Sequence, residues 1–269
     1  GLIELKKRFD ALKVGKESLL TILEEVELAE SVYNSNAIEN STLTLDDTER
    51  ILLDLEVSKE YSLREVFEAK NLARVYEYIK NKPDIKLQSE TILFFHNLLI
   101  GGIDDKIAGR YRTTGEYVRV GKHIAPAPEH IVRMIEVLLN DYQHNQLDDF
   151  LTRIAHFHLQ FETIHPFCDG NGRIGRVLIN LQLKDFGYPH IIIRDKAKQL
   201  YYKTFTEFRE TGSTSGMRQV IYLALTEGLY KRIAYLEGRE IITLSKYAKL
   251  EKLSLAGLIN KARRQTIPA

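Results

Sequence analysis

In the stretch HPFCDGNGRIGR, residues 165–176, one histidine, one acid, three glycines, an asparagine and two arginines fall within a dozen positions. His165 has a ring that accepts a proton near neutral pH. Gly170, Asn171 and Gly172 form a turn whose backbone N–H groups converge, and a helix predicted to start near Arg173 adds more of them. Such a nest at a helix N-terminus binds an anion, and glycine lets a bulky phosphate approach the backbone. Arg173 and Arg176, three apart, share one side of the first helical turn, and their planar forks suit phosphate oxygens. Asp169 supplies a hard oxygen for Mg²⁺ bridging phosphates. These types and spacings describe a polyphosphate–Mg²⁺ site with a general base beside it.

The stretch also fits G-x-G-x-x-G through Gly170, Gly172 and Gly175. A dinucleotide fingerprint has to follow a strand inside a βαβ unit. The segment before it, DDFLTRIAHFHLQFETI, is periodic for a helix instead: Leu151, Ile154, Ala155, His158 and Phe161 share a face. That reading is excluded, and no G-x-x-x-x-G-K-[ST] phosphate loop is present.

The elements that must hold this loop are overwhelmingly helical. SLREVFEAKNLARVYEYI opens with capping-box spacing, Ser62 to Glu65. Ser89 is a cap candidate for SETILFFHNLLI, and Pro128 is placed in the first turn of the next helix. Gly187 and Gly212 are stop signals for the two helices after the loop. One segment departs from the pattern. YRTTGEYVRVGKHIAPAP, with glycines at 115 and 121, predicts a short strand or hairpin that needs a helical body to lean on. The tail ITLSKYAKLEKLSLAGLINKARRQTIPA reads as two short helices, helix-turn-helix-like, with a basic end at Lys261, Arg263 and Arg264.

The 269 residues carry 38 basic and 37 acidic side chains, so no global field favours nucleic acid or an anionic membrane. A single cysteine, Cys168, excludes an internal disulfide framework and fits a reducing compartment. No apolar run approaches the ~20 residues of a membrane span, and no secretory signal is visible. The expectation is a soluble, cytoplasmic protein. The chain begins at Gly1 rather than Met, so its natural N-terminus can lie outside it.

The loop resembles the signature of the Fic (Doc/Fic) family, H-P-F-x-[DE]-G-N-G-R-x-x-R, at every fixed position: His165, Pro166, Phe167, Asp169, Gly170, Asn171, Gly172, Arg173 and Arg176. The similarity extends over about residues 90–215. The resemblance implies a mostly α Fic fold, a helical bundle with a β-hairpin flap. It implies transfer of AMP from ATP to a Ser, Thr or Tyr hydroxyl of a target protein. His165 would be the base and Asp169 the Mg²⁺ ligand. Gly170, Asn171, Gly172, Arg173, Ile174, Gly175 and Arg176 would hold the phosphates. A Lys at the position of Gly172 is associated with kinase-like members, and this chain lacks it.

The same resemblance places Val120, Gly121, Lys122 and His123 in the flap that clamps nucleotide and aligns the target. Tyr201 and Tyr202 match a tyrosine pair near the nucleoside, against the simpler reading of packed aromatics. Upstream, SNAIEN resembles the family's inhibitory motif through Ser35, Glu39 and Asn40. There Glu39 would form a paired fork with Arg176 and occupy the arginine a γ-phosphate needs. The division expected is 1–88 for the N-terminal helices with this motif, 89–215 for the Fic core and 216–269 for the C-terminal helices with a truncated winged-helix-like unit. His156 and His158 precede His165 and Cys168, but histidines two apart on a helix face different ways, so a metal site is not expected and His158 reads as core.

Two rival functions remain. One is hydrolysis of an AMP-modified protein, with Glu39 orienting water. The other is a nucleotide-sensing DNA-binding regulator, disfavoured by the balanced charge. Self-modification and a homodimer are compatible with the transferase reading, and no membrane partner is expected.

Overall fold

The computed structural model describes residues 1–57, 59–144, 149–239 and 242–263. Helices dominate: α1 (Leu2–Lys13), α2 (Glu17–Ile38), α3 (Leu45–Leu52), α4 (Leu63–Asn81), α5 (Ser89–Ile100), α6 (Ile131–His144), α7 (Phe150–Ile164), α8 (Asn171–Asp185), α9 (Lys198–Thr211), α10 (Ser215–Leu236), α11 (Leu244–Leu250) and α12 (Leu255–Arg263). The expected hairpin is present but minimal. Its strands β1 (Arg119–Val120) and β2 (His123–Ile124) pair antiparallel, Val120 opposite His123.

Two apolar clusters meet along α7 and α8. Phe157, Phe161 and Ile164 of α7 join Ile174, Val177 and Leu181 of α8 in a cluster with α4, α5 and α6. Ile154, Ala155 and Leu159 of α7 join Ile179 and Leu183 of α8 in a second cluster with α1, α9 and α10. A helix apolar nearly all round is buried on all sides, which is how α7 and α8 become the central pair. The loop between them is fixed by both cores. Packing also crosses the expected divisions: α1 lies on α10, α4 on α5, and α10 on α7.

Local signals hold in part. Asp149 caps α7, its Oδ1 accepting from the N–H of Leu151 at 3.0 Å. Ser62 Oγ accepts from Glu65 N at 3.2 Å. The Glu65 carboxylate turns back on Ser62, Oε2 accepting from its Oγ at 3.0 Å, while Oε1 accepts from Thr42 N at 2.7 Å and so ties α4 to the segment after α2. Ser89 is the first residue of α5 rather than its cap. Gln88 holds the cap position, and Ser89 Oγ lies 2.8 Å from Tyr111 OH. Pro128 opens a 3-10 turn, Pro128–His130, that runs into α6. The helix after the loop starts at Asn171, two residues earlier than expected. Arg264 and the side chain of Arg263 lie outside the described residues; Lys261 is on α12.

Candidate active site

α7 ends at His165, which is left-handed at φ 50° and ψ 62°. That reversal throws the chain into the loop and leaves the imidazole facing the N-terminus of α8. Two pins hold the loop. Phe167 is fully buried and stacks on His96, ring centroids 3.7 Å apart. Gly109 N donates to His96 Nδ1, so the other ring nitrogen, Nε2, carries the proton and donates to Asp169 O at 3.1 Å. The second pin is Asn171. Its Oδ1 accepts from Phe167 N at 2.9 Å and its Nδ2 donates to Phe167 O at 2.8 Å. The Asn171 side chain therefore closes the loop on itself, leaving its main chain for the cradle.

Gly170 sits at φ 80°, and a Cβ there would press on Leu99 and Ile100. Glycine is required on both counts. From this point α8 opens with N–H groups that have no intrahelical acceptor. Against its first turn lies the Glu39 carboxylate, so close that a Cβ on Gly172 would collide with Glu39 Oε1. Gly175 turns the other way. A Cβ there would collide with Glu162 Oε1 and approach His158 Cε1 at 2.8 Å, so this glycine admits α7 rather than a phosphate. Ile174 is wholly in the core and offers the site only its main chain.

The two arginines do not lie side by side. Arg173 points to α4, pairing Glu68 at 3.0 Å and Asp169 at 3.1 Å. Arg176 points to α2. Its Nε donates to Ser35 Oγ at 2.9 Å, and its Nη2 donates to both Ser35 O and Glu39 Oε1 at 2.8 Å. The expected two-bond fork with Glu39 is thus a single bond: Ser35 takes Nε and shares Nη2, and Nη1 is buried without a hydrogen-bond partner. Burial works against the Arg176 charge, but Glu39 outweighs it and holds the guanidinium firmly protonated. Asn40, left-handed at φ 71°, ends the turn after α2, and its Oδ1 accepts from Lys198 Nζ at 2.8 Å. Asparagine tolerates that conformation. Ser35 and Glu39 therefore share Arg176, while Asn40 meets Lys198.

His165 Nδ1 is sealed from solvent without a hydrogen-bond partner. Burial, with Arg112 and His123 adding to it, pushes the ring's pKa down to about 4, so the imidazole is neutral at pH 7 and can accept a proton. Tyr201 is 1% exposed, and its hydroxyl lies 2.7 Å from His158 Nε2, under Arg176. In this conformation it packs in the core beneath Arg176. Tyr202 is partly exposed and its hydroxyl donates to Ile38 O at 3.0 Å, next to Glu39. His158 is core as expected, its pKa lowered by burial to about 3, and the His156 ring packs on Phe208.

In the flap, Gly121 is left-handed at φ 61° and forms the turn with Lys122. Val120 is exposed, while His123 Nε2 lies 2.9 Å from Thr163 O and ties the hairpin to the end of α7. Arg112 does the same from below. It is buried and donates to His165 O at 2.8 Å, Glu116 O at 2.8 Å and Pro126 O at 3.0 Å, holding both ends of the hairpin to the catalytic loop. Arg112, His96, Glu68, Arg64 and Glu162 went unnoticed in the sequence. Apart from Glu162, each meets the loop from 50 or more residues away, and no local pattern marks them.

Asp169 accepts from Arg64, Arg173 and Gly170 N; burial raises its pKa, but the two guanidiniums win and hold the carboxyl ionised. Among the described residues no group of three or more His, Cys, Asp or Glu side chains could hold a metal by itself. A lone, partly exposed carboxylate beside an anion cradle nevertheless fits Mg²⁺ that takes its other oxygens from phosphates. No helix among the described residues is long and apolar enough to cross a membrane.

Comparison with known proteins places this site. The Fic/DOC family model matches residues 86–183. A protein adenylyltransferase Fic of Nematostella vectensis is 34% identical over 178 residues, covering 64% of this chain and 41% of that protein. One from Drosophila grimshawi is 32% identical over 209 residues, covering 75% of this chain and 42% of that protein. The chain thus spans less than half the length of these curated relatives. A Fic-domain-containing signaling protein from Bacteroides thetaiotaomicron superposes with TM-score 0.79 at 25% identity, covering 90% of this chain and 98% of that one. Fic-1 from C. elegans shares the fold, with TM-score 0.75 at 24% identity over 87% of this chain and 70% of that chain. With the loop, the flap and the mostly helical bundle in place, residues 86–183 of the chain form a Fic/DOC family domain.

Proposed function

We propose that this chain transfers AMP from ATP to a Ser, Thr or Tyr hydroxyl of a target protein and that Glu39 holds it in an inhibited state. The observation that carries the reading is the seat of the Glu39 carboxylate. It lies on the N-terminal turn of α8 and bonds Arg176, so an anion already occupies the cradle that the loop builds. The names of the curated relatives support adenylyl transfer as the family's chemistry.

In the mechanism, the flap lays the target segment along its edge by main-chain bonds with little demand on sequence. His165, neutral at pH 7, takes the hydroxyl proton. The freed oxygen bonds to the α-phosphorus as the bond to the bridging oxygen breaks, and pyrophosphate leaves. The Gly170–Gly172 main chain and the dipole of α8 hold the phosphates. Arg176 grips the outer phosphate once Glu39 has left it. Asp169 would hold Mg²⁺, which supplies charge neutralisation on the polyphosphate. Tyr202 and the flap residues Val120 to His123 border the nucleotide. By role, residues 1–88 carry the inhibitor, 89–215 the chemistry, and 216–269 a helix-turn-helix-like appendage suited to docking or self-association. The balanced charge of the whole chain favours a protein partner for it over DNA. Cytoplasmic placement rests on the lone cysteine.

A hydrolase reading draws on the same side chain. Glu39 is 35% exposed beside the cradle, where a carboxylate could orient water toward an AMP-modified residue. Incubation with an AMP-modified protein in the absence of ATP separates the two. Release of AMP by the wild type and not by Glu39→Gly would favour hydrolysis, and labelling from α-³²P-ATP that rises in Glu39→Gly supports transfer.

A further inference from the structure

Glu162 sits one helical turn before His165, at the spacing that puts two side chains on one helix face. Its side chain is only 10% exposed, and Oε1 is sealed from solvent with no hydrogen-bond partner. His165 Nδ1 is sealed and unpartnered as well. Oε2 and Nδ1 are 3.9 Å apart, too far for a hydrogen bond and close enough that a small torsion closes it. The opposite wall is Gly175, whose missing Cβ makes the space for this carboxyl. The orphaned Oε1 faces Gly175 and His158, and Oε2 is the oxygen beside Nδ1. Buried polar atoms are nearly always paired, so an unpartnered ring nitrogen beside a carboxyl oxygen at this distance points to a bond made during the reaction. Hydrogen bonds of catalytic groups are often long in resting structures and tighten with substrate.

We infer that Glu162 is a positioning residue: its carboxyl oxygen accepts the Nδ1–H of His165, fixes that tautomer, and leaves the Nε2 lone pair as the base toward the target hydroxyl. The inference rests on the transferase reading for its catalytic meaning, though not for the tautomer itself. The groups facing Glu162 are His158 and His165 from α7, Glu39 from α2, Arg176 from α8, and Tyr201 and Tyr202 from α9. Burial, reinforced by Glu39 and opposed by Arg176, raises the Glu162 pKa to about 8. The resting carboxyl is therefore neutral at pH 7, and its carbonyl oxygen is the acceptor. Glutamine reproduces that acceptor and leucine removes it. The rival acceptor is the main-chain carbonyl of Glu162, which also favours a proton on the ring and survives any side-chain change.

The test compares Glu162→Leu with Glu162→Gln, each alone and in the Glu39→Gly background. ¹⁵N-histidine NMR, assigned through His165→Ala, reads the tautomer without needing transfer. The expected result is a single Nδ1–H tautomer in wild type and Glu162→Gln, and a mixture in Glu162→Leu. In the activated background, kcat should fall about 10- to 100-fold for Glu162→Leu with KM for ATP changed less than twofold, and Glu162→Gln should rescue it. Retention of the wild-type tautomer and kcat by Glu162→Leu overturns the assignment in favour of the main-chain carbonyl. Equal loss in Leu and Gln also overturns it, as a packing defect. If Glu39→Gly transfers no AMP at all, the transferase reading fails, and the NMR comparison still decides the tautomer.

Discussion

Arg173 and Arg176 leave the same helix three residues apart, and their side chains are 3% and 4% exposed, yet they are held in unlike ways. Arg173 is paired with Glu68, in the interior of α4, and with Asp169, in a loop pinned by His96 and Asn171. Arg176 is paired with a carboxylate at the last residue before a left-handed turn, where α2 has already ended. The partners of Arg173 are anchored by the interior of α4 and by the pinned loop. The partner of Arg176 can swing away while Ser35 stays behind to accept from the guanidinium. One flank of the α8 N-terminus is therefore built as scaffold, and the other as a site where one anion replaces another.

The comparison is tested first through the base that both flanks serve. His165→Ala should lower transfer by about 10²–10⁴-fold with ATP binding retained, since the imidazole contacts neither arginine. Equilibrium binding of ATP alongside AMP labelling checks this, and near-normal labelling would remove His165 from the mechanism. Next, Asp169→Ala should shift the Mg²⁺ titration of activity to higher concentration, because a carboxylate bridging phosphates through the ion is lost. An unchanged titration would leave Asp169 as a partner of Arg64 and Arg173 only.

Smaller effects separate the flanks by stability. Arg173→Ala removes a buried guanidinium, leaves Glu68 with Arg64 alone and should cost about 1–3 kcal/mol. Glu39→Gly leaves Arg176 bonded to Ser35 and should cost less than Arg173→Ala in the same denaturant titration. Equal costs would erase the distinction between scaffold and exchangeable site. The smallest effect is expected of Arg64→Ala, whose side chain is 55% exposed; ion pairs of this kind contribute about 0–1 kcal/mol.

Much of the site could be read in the sequence because its residues are contiguous. From His165 to Arg176 the acceptor, the glycines and the guanidiniums are laid out in order, and a helix before and after them is dictated by periodicity. What escaped was set by tertiary contact. The clamp of the Asn171 amide on both main-chain groups of Phe167 has no local signal. Tyr201 is buried with its hydroxyl 2.7 Å from His158 Nε2, a contact that no local pattern marks. Ser89 has a cap's sequence context, and Tyr111 intercepts it. Arg112 carries no local signature, because its acceptors are main-chain oxygens brought together only by the fold. The same loss of local signal explains the single Arg176–Glu39 bond: Ser35 was visible as a motif residue, but its claim on the guanidinium was not.

The central claim is that Glu39 and a nucleotide phosphate compete for Arg176. The most direct measurement is AMP labelling from α-³²P-ATP, at matched ATP and Mg²⁺, by wild type, Glu39→Gly, Arg176→Ala and the double variant. A misplaced reacting group can cost roughly 10²-fold in rate, so Glu39→Gly should raise self-labelling and target labelling by about that factor. Arg176→Ala should not be activated, and the double variant should behave like Arg176→Ala, because removing the inhibitor cannot restore a lost phosphate ligand. Equal labelling by wild type and Glu39→Gly, or full activity in the double variant, would contradict the account.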